Sequence, residues 1–415
     1  MPGKVFFTNN RISIKHFYRI EHSERVYWGI WGVAGNSTGF TYTNHYCTGV
    51  SNSDGTVVAH NEYDETGRLT ATVDSSGKRT EFTHDLDAKR EVVTNKLGYS
   101  TIYTYDAKGN VLTKTDALGR TTTYTYDANG HMSTETDPLG NVTHYTYSAS
   151  GDLLSASNSE GLEISSVYDA KGQLLTMSAG GTAMLSLVYN TYGELTQSED
   201  ALGNTENFSY SEEGDLKSIT DSLGTIVNMT YDADGKVMTT TDAVGTVTNF
   251  TYDQLGRVVT SSMVYNGKTL VNEYSYDAND KITQVRHSDG TVDSFEYNVA
   301  GDMTAAIDAE GRRTDYTYDL YGHLTHITYA DGTGESFTYD AEGQNISAID
   351  RLGRSIIFTY DAVGNITRKD YSDGTYATYT YDACDRLITS TNIFGATTTF
   401  GYDSIGRNTS VTDAD

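Results

Sequence analysis

The chain has 415 residues, among them 40 Gly, 33 Tyr, 2 Pro and 2 Cys, and a formal net charge of −27. With Tyr set aside and Gly counted in, apolar residues are about 39% of it, against about 45–50% in an ordinary domain. That is too little for a conventional compact core, while so much Tyr argues against a solvated acidic tail. The fold must therefore build with Tyr, Thr and Gly.

The N-terminal stretch, residues 1–60, reads as a non-repeat head. Residues 1–50 carry a net +3, against −30 for the remainder, and hold Trp28, Trp31, Cys47 and three of the ten His. Its apolar run Val26–Gly35 is 10 residues long, about half of the ~20 that a membrane-spanning helix needs. Behind Glu21, Glu24 and Arg25 it lies too far inside for a secretory leader. A small cap over the first strand edge is expected here; a contact module for a partner is the alternative. Cys47 and Cys384 make neither a disulfide framework nor a zinc site.

From residue 61 to 415 the chain is a repeat array. Tyr-Asp-x-x-Gly marks begin at Tyr63, Tyr105, Tyr126, Tyr168, Tyr231, Tyr252, Tyr318, Tyr339, Tyr360 and Tyr402. Their turns close on glycines such as Gly109, Gly130, Gly172 and Gly235. Degenerate copies at His84, Tyr147, Tyr189, Tyr210, Tyr276, Tyr297 and Tyr381 complete 17 units. The step is 21 residues throughout, except 24 between Tyr252 and Tyr276, where an insertion lies around Tyr265–Lys268.

A second Asp-x-x-Gly lies halfway through most units, as at Asp116–Gly119, Asp137–Gly140 and Asp242–Gly245. Asp bonds its own backbone two residues on, and Gly supplies positive φ, so both marks read as turns. The stretches of about six residues between them are rich in Thr, Val, Tyr and Phe and read as strands. An aromatic residue stands two before the marker in 13 units, on the same strand face. An apolar residue recurs two beyond the turn glycine in 14. A ladder in every unit is structural material before it is a sugar-binding platform.

These features predict an all-β fold, in which tandem hairpins form a long antiparallel sheet that spirals into a shell or barrel. About 34 strands at ~4.8 Å each would make a flat sheet ~160 Å wide, and wide sheets twist and curl. A parallel β-helix has coils of similar length and stays open as the competitor.

The combined pattern, as in YDAKGNVLTKTDALGRTTTYTYDANG over Tyr105–Gly130, resembles the YD repeats of the Rhs family. Such repeats also occur in wall-associated bacterial proteins, insecticidal toxin-complex shells and teneurins. The resemblance implies a hollow shell that in many bacterial members encloses a C-terminal toxin, while other members act in surface adhesion. Toxin-bearing members close the array with a proline-containing segment. Here the only prolines are Pro2 and Pro138, and the chain ends as another turn begins. The resemblance is thus to a shell segment with no payload visible.

No HExxH, phosphate loop, GxSxG or CxxC motif occurs. His323 and His326 flank Leu324 on opposite strand faces, a poor metal pair, and the turn aspartates lack EF-hand spacing. The sequence therefore leads to a non-catalytic scaffold with no cofactor and no metal, secreted or at the cell surface. Its partner would be an enclosed toxin polypeptide or, alternatively, a cell-surface glycan. The acidic balance argues against nucleic acid. Exposed rows of Tyr and Phe would favour the glycan reading.

Overall fold

The structure, a computed structural model, describes residues 39–43, 45–51, 57–158 and 160–414. Trp28 and Trp31 lie outside the described residues. Thirty-six strands, from β1 (Gly39–Thr43) to β36 (Asn408–Thr412), form one sheet, with no helix among the described residues. Each strand pairs antiparallel with the next in sequence. That meander excludes the parallel β-helix.

Both kinds of turn are built alike. In the marker turn, Asp106 Oδ1 accepts the backbone N–H groups of Lys108 (2.8 Å) and Asn110 (2.9 Å). Gly109, at φ 85°, completes the turn, a conformation costing other residues about 1–2 kcal/mol. The halfway turn repeats this with Asp116 Oδ1 accepting from Leu118 and Arg120, each at 2.9 Å. This is a type I turn followed by a residue in the left-handed region, the usual three-residue hairpin loop.

The two turns differ in how the next strand pairs. After the marker turn the register slips by one, as between Thr104 and Tyr105. Such a bulge accompanies every marker turn but the one after His84, where His84 faces Glu91 directly. A bulge bends its strand and adds right-handed twist. Sixteen of them near one edge, against two near the halfway turns, between Met177 and Ser178 and between Ile219 and Thr220, make the ribbon curl predominantly in one sense. The expected insertion at Tyr265–Lys268 extends one hairpin without breaking it: β22 (Val258–Tyr265) and β23 (Lys268–Tyr276) are simply longer, joined by Asn266-Gly267.

The sheet starts ahead of the first marker. β1 and β2 (Tyr46–Ser51) form a hairpin that pairs onto β3 (Val57–Tyr63). There the Cys47 carbonyl accepts from Tyr63 Oη (2.9 Å) and Asn61 Nδ2 (3.0 Å). Only six apolar side chains are buried among the described residues: Ala71, Val73, Phe82, Tyr105, Ala305 and Ala377. A single-layer sheet has no centre, which is why the composition could be so poor in aliphatic residues.

Candidate functional site

Along the marker edge, neighbouring hairpins are locked by the marker tyrosines. Eleven of them donate Oη–H to the carbonyl that opens the strand after the preceding marker turn. Examples are Tyr126 to Val111 (2.8 Å), Tyr231 to Leu216 (2.6 Å), Tyr252 to Val237 (2.7 Å) and Tyr402 to Leu387 (3.0 Å). Tyr318, Tyr339 and Tyr360 donate likewise to Met303, Leu324 and Asn345. The residue after the turn glycine lies over the next marker ring: Arg257 over Tyr276 (4.6 Å), Arg386 over Tyr402 (4.9 Å), His323 on Tyr339 (4.8 Å). Burial raises the phenol pKa along this row, as at Tyr126, Tyr231 and Tyr360. The opposite face carries paired hydroxyls, such as Thr104–Thr113 (2.6 Å) and Thr251–Thr260 (2.6 Å). No marker ring or its aromatic neighbour is exposed on either face.

His84 keeps the ladder bond. Its Nε2 lies 2.7 Å from the Leu69 carbonyl, the place a marker tyrosine would reach, so the proton sits on Nε2 to donate. Its Nδ1 faces Glu91 Oε2 at 3.3 Å. Glu91 is 3% exposed and its Oε1 has no hydrogen-bond partner. Burial pushes its carboxyl above the usual range, against the pull of His84.

The ribbon also meets itself. Lys96 N donates to Glu342 Oε1 at 2.6 Å, 246 residues away, and Lys96 Nζ lies 5.2 Å from the centre of the Tyr321 ring. Arg120 Nη1 donates to the Asp382 carbonyl (3.2 Å) and to Asp385 Oδ1 (2.9 Å), 265 residues on. The Cys384 thiol donates to Asp137 Oδ2 at 3.3 Å. Burial first, then the Asp137 carboxylate, push that thiol up to about 11. Halfway turns of units two to four thus sit on marker turns some 250 residues later, so opposite edges of one ribbon touch. At 21 residues per unit, separations of 246 to 265 residues are about 12 units per coil. Roughly 24 strands at ~4.8 Å give a circumference of ~115 Å and, after side chains, an interior ~25 Å across.

The expected marker residues fall in one row, as described. His323 and His326 go separate ways: His323 Nδ1 meets Asp319 Oδ2 (2.8 Å) and His326 Nδ1 meets Ser336 Oγ (2.8 Å). No group of three or more His, Cys, Asp or Glu among the described residues is placed to hold a metal ion. No helix among them is long and apolar enough to cross a membrane. The seam residues Arg120, Glu342 and Asp385 escape the sequence reading. One signal points to part of the seam: Asp280 and Asp385 stand where other marker turns have Gly, both at φ 62°, and each binds an arginine.

A family model for the teneurin YD-shell matches residues 238–414, and one for the RHS repeat matches residues 105–142 and 126–163. The array belongs to the Rhs/YD-repeat family. Among solved structures, the YD array is similar to TcdB2-TccC3, with TM-score 0.57 and 15% identity over 91% of this chain and 27% of that one. For TcdB2-TccC3 without its hypervariable C-terminal region the TM-score is 0.60 at 14% identity, covering 86% and 21%. For the Photorhabdus luminescens Tc holotoxin pore it is 0.56 at 16%, covering 85% and 24%. The chain spans about a quarter of the length of these structures, and identity at this level speaks to fold. No curated protein matches the chain.

Proposed function

We propose that this chain is a non-catalytic shell scaffold that encloses a polypeptide passenger, as part of a toxin-type protein acting outside the producing cell. The observation that carries this reading is the seam. A ribbon whose edges bond to each other every 12 units or so is a wall around a space, not an open surface. That space, ~25 Å across, is on the scale of a small domain, whose radius of gyration at 100 residues is about 13 Å. The shell fold shared with TcdB2-TccC3 supports the reading. Adhesion to glycans is less favoured, because the aromatic rows are half-buried and their hydroxyls donate to backbone.

The test is protection. A disordered, protease-sensitive passenger joined after Asp415 is expected to survive protease concentrations at least about tenfold above those that cut it free, a gain of about 1.4 kcal/mol in effective shielding. Cutting at the free rate, together with glycan-array binding by the chain alone, would point to the adhesion reading instead.

A further inference from the structure

The seam explains a contrast along the halfway-turn edge. The third residue of those turns is a projecting apolar tip. Leu97, Leu118 and Leu139, in the units covered by the later coil, are 38%, 47% and 46% exposed. Leu202, Leu223 and Val244, at the same repeat position in three consecutive units, are 87%, 94% and 86% exposed. What these turns meet is visible at two places: Leu97 and Tyr99 share a crevice with Ala362 and Val363, and Pro138, beside Leu139, shares one with Ala383 and Cys384. Small apolar tips of marker turns thus receive the larger tips of halfway turns. The bare row is the continuation of this edge.

We propose that the edge carrying Leu202, Leu223 and Val244 docks the marker-turn edge of a second copy of this chain, repeating between molecules the seam it makes with itself. The chain holds the complementary surface: its early marker turns end in exposed tips, Lys108, Asn129 and Lys171, and take no part in the described seam. Two of these tips are basic, and they would meet turns opened by the acidic residues Asp200, Asp221 and Asp242, whose Oδ1 atoms accept N–H groups of their own turns. The size suffices as well. An uncovered edge of about 11 units, ~9.6 Å per unit and about 10 Å thick, buries roughly 1,000 Å² per partner, within the range of stable interfaces. Because two different edges meet, the contact is heterologous and propagates head to tail. It is opposed by a net charge of −27 per copy, so added salt strengthens it. The inference does not depend on what the shell holds.

Sedimentation velocity tests it directly. The whole chain is expected to shift from 45.4 kDa to dimers and longer species as concentration rises, more so at about 0.5 M salt than at about 0.05 M. The triple variant L202D/L223D/V244D, altered only at exposed tips, is expected to melt like the parent and to associate at least about tenfold more weakly. A single monomeric species at every concentration and salt overturns the proposal. So does association that the triple variant retains.

Discussion

Arg120 and Arg257 make the same contacts in two different places. Each bonds its own turn aspartate through Nε, Arg120 to Asp116 (2.6 Å) and Arg257 to Asp253 (2.7 Å). Each then reaches a carbonyl and a left-handed aspartate: Asp382 and Asp385 for Arg120, Asp277 and Asp280 for Arg257. Arg257 reaches its neighbour along one edge, 23 residues away, whereas Arg120 crosses the seam to a turn 265 residues away. Closing the longer loop costs about 2 kcal/mol more in chain entropy. The coil therefore uses the grammar of the edge, but the seam bond holds only because the intervening ribbon already curls its turns into place.

That contrast can be broken at several levels. The largest effect is on the turn aspartates that recur along both edges. Hydrogen bonds from Thr66 and nearby backbone N–H groups hold the Asp64 carboxyl down at about 2. Asp74 lies at about 2 as well: burial pushes it up, and the bond from Lys96 with those from Ser76 and Lys78 more than offsets this. A folded pKa below the unfolded ~3.9 means stability that is complete above about pH 4 and lost as pH falls toward 2. Circular dichroism during acid titration is expected to show seam and edge failing together in that window.

Arg120→Ala is next. It removes charge-assisted bonds worth about 1.5–3 kcal/mol and is expected to separate spin labels placed on opposite sides of the seam. Arg257→Ala, which removes only contacts along one edge, is expected to cost less than Arg120→Ala and leaves such labels where they were. The aspartates sharpen this further. Asp280→Gly trades a modest ion pair for a relaxed left-handed turn and is expected near neutral, within about 1 kcal/mol by chemical unfolding. Asp385→Gly relaxes its own turn equally but frees Arg120 and also Asn365, whose Nδ2 donates to Asp385 at 2.7 Å, so the seam opens.

The smallest expected effect is at Glu91, within the ladder rather than the seam. Its raised pKa means a contribution present in acid and lost as pH rises through the folded value. Glu91→Gln is expected to raise the melting temperature at pH 7 to 8 by a few degrees, with the gain gone below about pH 4.

The sequence carried the ribbon well and the coil hardly at all. Asp106 and Gly109 declare a turn, and Tyr124 and Tyr126 declare a shared strand face, because such preferences act within a few residues. The partner of each marker hydroxyl, one unit back, can be inferred from the regular step once hairpins are assumed. The meeting of Arg120 with Asp385 cannot, since it sums small twists over about 24 strands. Glu91 is hidden for a related reason: only the missing bulge turns it inward, and bulges are set by local geometry that a repeat alignment averages away.

The central claim is that one ribbon coils onto itself, and the natural thiol at the seam tests it. In a Cys47→Ser background, Asp137→Cys places a second thiol at the Cγ position of a carboxylate whose Oδ2 lies 3.3 Å from Cys384 Sγ. Mild oxidation is expected to give an intramolecular disulfide closing a loop that spans 247 positions, seen as a faster monomer band on a non-reducing gel. Retention of two free thiols, or cross-linking only between molecules, would mean that the edges do not meet and that the sheet is not a shell.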